Sequence, residues 1–435
     1  QHNTTQHNTT NACALCVAVL GNTQGVVNVL RSIECSEGYV CRTAIIENYY
    51  GRNFWRYFFS IPLKAKAKLL YRALRNIKHY HRLLRKISKV YFNVPDRKAQ
   101  LLELIPNTAL KDVDMFLIAC DDEFSSREEH KTSDYVSFLM RHGVSKDKIY
   151  VVPHNMAKAE LPVFLDGRLS PLCKNIAYVK PVLRYMEYHV TDFCNLKCKG
   201  CTHMAEYVRT LDFHKPEDFK LSLEKLREKF ENIITIRIMG GEPLLCKSLH
   251  EYINVAHEVF PYSNIKIVTN ALLYKNITPL TIKAMRDAGA EFNVSQYPPT
   301  REIAPEFIAF CQENGLRVAI TSPVKKFYRW IVSGRDASLE EIWFCCPNRY
   351  CHFLHSTTLY PCPLFWTHSE PKFREILGKN AFSESESREY SYDLSKDIAD
   401  DGWDILAKID NPFELCRKCG DKTEFFKWES EAGKN

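Results

Sequence analysis

At 435 residues the chain is long enough for two or three domains, each able to bury its own core, and far too long to need disulfide staples. Hydrophobic residues make up 45% and charged residues 26%, an ordinary globular balance, and no run of 18 or more uncharged apolar residues exists to span a membrane. The net charge of +7 is accompanied by no base-reading motif, so the charge alone does not predict a nucleic-acid partner.

In chain order, "QHNTTQHNTT" (residues 1–10) is a tandem pentapeptide, read as a disordered lead and set aside from the fold. Its Asn3 and Asn8 sequons would matter only in a secreted protein. The 17 cysteines, an odd number, argue against secretion. They gather in short metal-like spacings, which predicts a reducing, cytoplasmic setting and metal–sulfur chemistry.

From 11 to 175, "CVAVL", "RTAII", "MFLIAC" and "KIYVV" read as strands, and "DYVSFLMRHGV" as a helix with a glycine stop. That alternation predicts a small α/β domain with a parallel sheet. "GNTQG" at the first strand-to-helix turn is either a plain tight turn or a phosphate cradle, and it lacks the full G-x-G-x-x-G pattern. Much of the positive charge sits in 63–92. There Leu70, Leu74, Ile77, Leu84 and Ile87 recur at helical spacing among Lys and Arg. Two readings stay open: a basic helix with a solvated face, or one that docks peripherally on an anionic membrane or polyanionic partner.

From 183 to 335 the alternation is regular. "RYMEYHVT", "IITIRIM", "IKIVTN", "AEFNVSQ" and "LRVAITS" read as strands, separated by amphipathic helices such as "PEDFKLSLEKLREKF". Repeated βα units predict a barrel or partial barrel with function at the C-terminal ends of its strands. From 340 onward the pattern is irregular and cysteine-rich, as in a small loop-rich unit held by metal.

"TDFCNLKCKGC" puts Cys194, Cys198 and Cys201 on one loop after the first barrel strand. A disulfide leaves one thiol over, and a structural zinc site wants four ligands. Three thiolates suit a [4Fe-4S] cluster with one iron free for a further ligand. Farther on, Cys345, Cys346, Cys351, Cys362, Cys416 and Cys419 form a second group, in which the C-x2-C at 416–419 also permits a zinc ribbon.

Together, C-x3-C-x2-C, "IMGGEP", "VTN" at 268–270 and "NVSQY" at 293–297, each ending a successive strand, resemble the radical S-adenosylmethionine (SAM) superfamily. The resemblance implies a partial (βα)6 barrel over 183–335, preceded by a Rossmann-like α/β domain and followed by an iron–sulfur domain over 340–435. It implies that Cys194, Cys198 and Cys201 bind the cluster and that SAM chelates the free iron. Gly240, Gly241, Glu242 and Pro243 match the motif that holds the methionine amino group. Thr269, Asn270 and Ser295 fall where ribose or carboxylate is met, though each also reads as a turn cap. The aromatic residue common before the third cysteine is replaced by Gly200, with either His203 or backbone as the implied contact for adenine.

The C-terminal cysteines resemble the SPASM and twitch units that bind an auxiliary [4Fe-4S] cluster. The implied ligands are Cys346, Cys362, Cys416 and Cys419, with Cys351 and Cys345 as alternatives and Thr357 at a position usually held by glycine. "CHFLHSTTLYPCP" and "CRKC…FKW" resemble uncharacterised members linked to polysaccharide biosynthesis. The implied activity is reductive cleavage of SAM to a 5′-deoxyadenosyl radical, which abstracts hydrogen from a small-molecule or carbohydrate-linked substrate and oxidises it. A reductant such as flavodoxin or ferredoxin is the implied partner. Two other readings are a peptide-modifying SPASM-type enzyme and a non-catalytic iron–sulfur or zinc module, the latter disfavoured by the intact GGEP.

Overall fold

Short runs of β-branched and apolar residues make the first sheet, because a parallel strand covered on both faces has no polar side to show. The structure is a computed structural model. It describes residues 15–22, 39–47, 89–92, 113–119, 131–153, 164–165, 168–328, 337–339, 342–343, 346, 348–419 and 425–431. The chain divides into two units, Gln1–Val179 and Lys180–Asn435.

In the first unit, β1 (Leu15–Asn22), β2 (Tyr39–Glu47), β3 (Lys89–Phe92), β4 (Met115–Ala119) and β5 (Ile149–Val151) are parallel. A hairpin of β6 (Phe164–Leu165) and β7 (Arg168–Leu169) follows, and β8 (Lys174–Asn175) adds antiparallel to β5. The order β3-β2-β1-β4-β5-β8 runs outward from β1 in both directions, a doubly wound arrangement. Helix α1 (Lys131–Arg141) buries Tyr135, Val136, Phe138 and Leu139. It stops at Gly143, whose φ of 77° lets Val144 N–H turn back to the Leu139 carbonyl.

One sequence reading is corrected here. The helical pattern drawn over 63–92 does not hold at its end, where "KVYF" is strand β3, paired with Thr43–Ile46 of β2. Its β-branched and aromatic residues suit a strand, and pairing outweighs the helical period. Residues 63–88, the lead 1–10 and the remainder of "GNTQG" after Gly21 and Asn22 lie outside the described residues.

In the second unit five parallel strands stand in chain order: β9 (Val182–Thr191), β10 (Asn232–Gly240), β11 (Asn264–Thr269), β12 (Glu291–Val294) and β13 (Arg317–Ile320). The helices between them are α2 (Pro216–Lys229), α3 (Leu249–Val259), α4 (Pro279–Asp287) and α5 (Pro298–Glu313). Helix α2 has Pro216 in its first turn with Glu217 and Asp218, and Arg227 and Lys229 in its last, matching the helix dipole.

The two faces of β9 differ. Met186, Tyr188 and Val190 are buried, and Tyr188 packs on Phe219 of α2 at 4.2 Å between ring centroids and on Tyr252 of α3. On the alternate positions, Glu187 pairs with Arg237 of β10 at 3.0 Å, and Arg237 reaches Asn293 of β12 at 3.3 Å. Met186, Tyr188 and Val190 thus line one face of β9, and Glu187 and its charged partners the other.

The segment after 340 is not the separate, core-poor unit its sequence suggested. After β14 (Lys326–Tyr328), β15 (His352–His355) joins the free side of β9 in parallel, and β16 (Thr358–Tyr360) continues antiparallel. Then come α6 (Pro363–Ser369), α7 (Arg374–Leu377), α8 (Glu384–Glu389), β17 (Tyr392–Asp393) beside β16, and α9 (Gly402–Ile409). Phe353, Trp366, Phe373 and Leu377 make one buried cluster, and Phe365, Phe382, Phe413 and Leu415 another. Their spacing follows no single helical or strand period, so no pattern announced a core. The last strand, β18 (Phe425–Lys427), pairs antiparallel with β14.

Candidate functional site

The loop leaving β9 turns through left-handed backbone at Lys197 (φ 47°), Gly200 (φ 70°) and Met204 (φ 53°). These turns aim N–H groups at sulfur. Leu196 N–H donates to Cys194 Sγ at 3.4 Å, with that of Lys197 beside it. The N–H groups of His203 and Ala205 face Cys201. Cys198 receives the indole Nε1–H of Trp428 at 3.2 Å. The three cysteines share one cluster with Leu196 and Ala205, on which Leu272, Tyr297, Phe327 and Trp428 pack. Burial pushes the Cys194 thiol up to about 12 and raises Cys198 and Cys201 as well, so the free thiols hold their protons at neutral pH. Metal binding replaces such protons, and N–H donors favour the thiolate that results. The residues present therefore fit an iron–sulfur cluster ligated by three thiolates.

The GGEP turn ends the neighbouring strand. A Cβ on Gly240 or Gly241 would run into the carbonyl oxygens of Thr191 and Phe193, and one on Gly241 would also stand 2.6 Å from Cys194 N. These glycines thus let β10 close onto the cysteine loop. Gly241 N–H donates to Thr191 O at 2.8 Å, and Glu242 N–H to Phe193 O at 3.0 Å.

Glu242 is fully buried. Its Oε1 accepts from Leu244 N (3.0 Å) and Thr269 Oγ1 (2.5 Å), and its Oε2 from Asn270 N (2.9 Å). Burial pushes its carboxyl up to about 7 despite these donors. Three of about four acceptor positions are filled from within the chain. The carboxylate thereby ties the ends of β10 and β11 together, and Pro243 is buried with it.

Thr269 and Asn270 are likewise turned inward. Thr269 Oγ1 accepts from Ala271 N, and Asn270 caps Leu272 N while its Nδ2 donates to Asn195 Oδ1 at 2.9 Å. Their capping role is the one the structure displays. Ser295 is partly exposed, and its N–H donates to Thr269 O at 3.0 Å.

The His203 ring bonds to a buried histidine of β9. Its Nδ1 meets His189 Nε2 at 2.9 Å, and His189 Nδ1 meets Asp192 Oδ1 at 2.6 Å. Burial lowers His189 to about 3, so it is neutral and Nδ1–H donates to Asp192. The other oxygen of Asp192 takes Lys372 Nζ at 2.6 Å, His355 Nε2 at 3.2 Å and His214 Nε2 at 3.6 Å. Burial opposes the Asp192 charge, but the hydrogen bonds from His189, His214 and His355 hold the carboxyl well below its usual range. Asp192, His214 and His355 have metal-ligand spacing, and the Lys372 ammonium already supplies the cation there.

Aromatic contact with Gly200 comes from elsewhere: a Cβ there would stand 2.6 Å from Phe426 Cζ. The segment 425–431 lies along the cysteine loop, with Lys199 N–H donating to Glu429 O at 3.0 Å and Cys198 bridged to Ser430. Sequence reasoning missed this segment, although "FKW" held an available donor in Trp428.

The C-terminal cysteines also come together. Cys362 is raised well above the usual thiol range by burial and by the neighbouring thiols of Cys419, Cys346 and Cys416. Phe365 N–H donates to Cys362 Sγ at 3.3 Å. Burial pushes Cys416 up to about 12. Cys351 is buried, with its charge felt by Arg237, and Cys345 lies outside the described residues. At the position usually glycine, Thr357 follows Ser356, which carries the left-handed φ of 49°.

Residues 188–322 match the family model of the Radical SAM superfamily. The GTP 3',8-cyclase of Sulfurovum sp. (strain NBC37-1) is 32% identical over 117 residues, which is 26% of this chain and 33% of the cyclase. The 7,8-dihydro-6-hydroxymethylpterin dimethyltransferase of Methanocaldococcus jannaschii is 32% identical over 102 residues, 23% of this chain and 19% of the relative. The chain thus spans about a third of the length of the cyclases it matches. Among solved structures, BtrN in complex with AdoMet and 2-DOIA aligns with a TM-score of 0.35 and 16% identity, over 57% of this chain and 96% of that one. No helix among the described residues is long and apolar enough to cross a membrane.

Proposed function

We propose that this chain, whose residues 188–322 match the radical SAM superfamily, binds a [4Fe-4S] cluster through Cys194, Cys198 and Cys201 and cleaves SAM reductively to oxidise a carbohydrate-linked substrate. The observation that carries the reading is the set of N–H donors on the three sulfurs, beside a GGEP turn whose glycines admit the same loop. On this reading β9–β13 belong to the partial barrel of the superfamily, and the first unit is a Rossmann-like domain. Cys346, Cys362, Cys416 and Cys419 hold a second [4Fe-4S] cluster. When bound, these groups supply reductive SAM cleavage and hydrogen abstraction at the first site and an electron acceptor at the second.

The chain's own residues supply order. Glu242, Thr269 and Asn270 lock the strand ends, leaving the Gly240–Gly241 backbone and Ser295 to meet SAM. Glu187, Arg237 and Asn293 present fixed donors and acceptors to a hydroxylated substrate, and His189 with Asp192 fixes the floor beside the cysteine loop. A low-potential protein such as flavodoxin or ferredoxin is the electron source, in the cytoplasm. Anaerobic reconstitution followed by an assay for 5′-deoxyadenosine tests the reading: reductant-dependent product supports it, and intact SAM beside a fully loaded cluster overturns it. Loss of a sugar hydroxyl to a carbonyl, followed by mass spectrometry, tests the substrate class.

A further inference from the structure

We propose that Trp428 is a positioning residue that raises the reduction potential of the three-thiolate cluster through its indole N–H bond to the Cys198 sulfur. The inference rests on the proposed cluster at Cys194, Cys198 and Cys201. It starts from an asymmetry among the three sulfurs. Cys194 and Cys201 each face two backbone N–H groups of their own loop. Cys198 faces its own N–H and takes a side-chain donor from a residue 230 positions away at 3.2 Å, closer than the 3.9 Å at which Asn270 Nδ2 approaches Cys194.

That donor is held in place. Trp428 N–H donates to Lys325 O at 3.3 Å, Lys199 N–H to Glu429 O at 3.0 Å, and Glu431 N–H to Lys197 O at 3.4 Å, while Ser430 Oγ donates to Leu196 O. Tyr297 stacks against the indole at 6.0 Å and 23°. The accompanying ion pairs, Lys199–Glu429 and Arg209–Glu431, are exposed and add little. Backbone pairing and stacking therefore fix the indole over a sulfur walled by Leu272, Tyr297 and Phe327.

A hydrogen bond to a ligating sulfur stabilises the electron-rich state more than the oxidised one, and more so in apolar surroundings. The couple concerned takes one electron, between the 2+ and 1+ states of the cluster, from the reductant of the proposed reaction. Removing the N–H should make that reduction harder. The segment around Trp428 would thus link the distant end of the described chain to the electron affinity of the cysteine loop.

The test is a mediated potentiometric titration of the reconstituted holoprotein. It follows the paramagnetic signal that changes on SAM addition, which separates this cluster from any other. Trp428→Phe keeps an aromatic ring and removes the donor. At equal iron content it should shift the reduction equilibrium three- to tenfold toward the oxidised state, about 30–60 mV at 59 mV per decade. Phe327→Leu disturbs the same wall without removing a donor and should shift the potential less than Trp428→Phe does. An unchanged potential in Trp428→Phe, or an equal shift in Phe327→Leu, overturns the proposal. If Trp428→Phe loses iron, replacing the indole at 428 by isosteric benzothiophene decides: a lowered potential supports the role and an unaltered one refutes it. Iron content undiminished by Cys198→Ala would instead refute the cluster assignment.

Discussion

The two cysteine groups of the second unit bury their thiols to similar effect, yet they are built differently. Cys194, Cys198 and Cys201 come from one loop, and their sulfurs meet N–H groups of that loop and of Trp428. Cys346, Cys362, Cys416 and Cys419 come from three segments around an aromatic cluster of Phe365, Phe382 and Phe413. On the proposed reading, three thiols beside a glycine turn would leave a coordination position open, whereas four thiols from separate segments would close a shell and fasten those segments together. Openness suits a site that must admit a ligand, and closure suits one that must hold its geometry.

Removing one thiol should therefore hurt the open site most. Cys198→Ala leaves two thiolates on the loop and should abolish 5′-deoxyadenosine formation while lowering iron by about four per chain. Normal turnover in that variant would break the contrast at its root. Removing Cys416 and Cys419 together should lower iron from about eight to about four, with SAM cleavage partly kept and substrate oxidation lost. Wild-type protein holding about four irons and one zinc would make the second group a structural ribbon and remove the electron-acceptor role.

The contrast also explains what could be read without coordinates. Strands β9–β12 were legible because their β-branched runs recur between amphipathic helices, and the motifs fall where those strands end. Spacing on one loop is a local property, so the three thiols could be grouped from sequence. The Trp428 donor, the Phe426 ring against Gly200 and the Lys372–Asp192 pair join residues 180 to 230 positions apart in chain. Nothing local marks such pairs. Two of the donors to Glu242, Thr269 and Asn270, likewise lie 27 and 28 positions away in the chain.

A smaller effect separates the loop from the turn that supports it. Gly241→Ala places a methyl against the Phe193 carbonyl and 2.6 Å from Cys194 N, both backbone atoms that cannot swing aside. Overpacking of this kind costs about 1–3 kcal/mol. The expected result is a lower thermal midpoint and poorer loading of the three-thiol site, with iron at the C-terminal group unchanged. Equal loss at both groups would mean that they fold as one element and are not independently built.

The smallest expected effect concerns Glu242 and carries a pH signature. In the folded chain burial raises its carboxyl to about 7 from an ordinary 4.5. Between those values the folded state keeps a proton that the unfolded state has lost, so stability falls as pH rises through that window. Glu242→Gln cannot titrate and lacks this slope. It also turns an amide N–H2 toward three donors, from Leu244, Thr269 and Asn270, leaving at least one unpaired at a cost of about 1–3 kcal/mol. The variant should therefore be the less stable protein near pH 5, with the gap narrowing toward pH 8, when thermal midpoints are compared across that range. Iron at the C-terminal cysteines should not change, because every partner of the Glu242 side chain lies at the ends of β10 and β11. A gap independent of pH would show that Glu242 stays ionised throughout, with its donors outweighing burial, and its link to the open site would then be purely one of geometry.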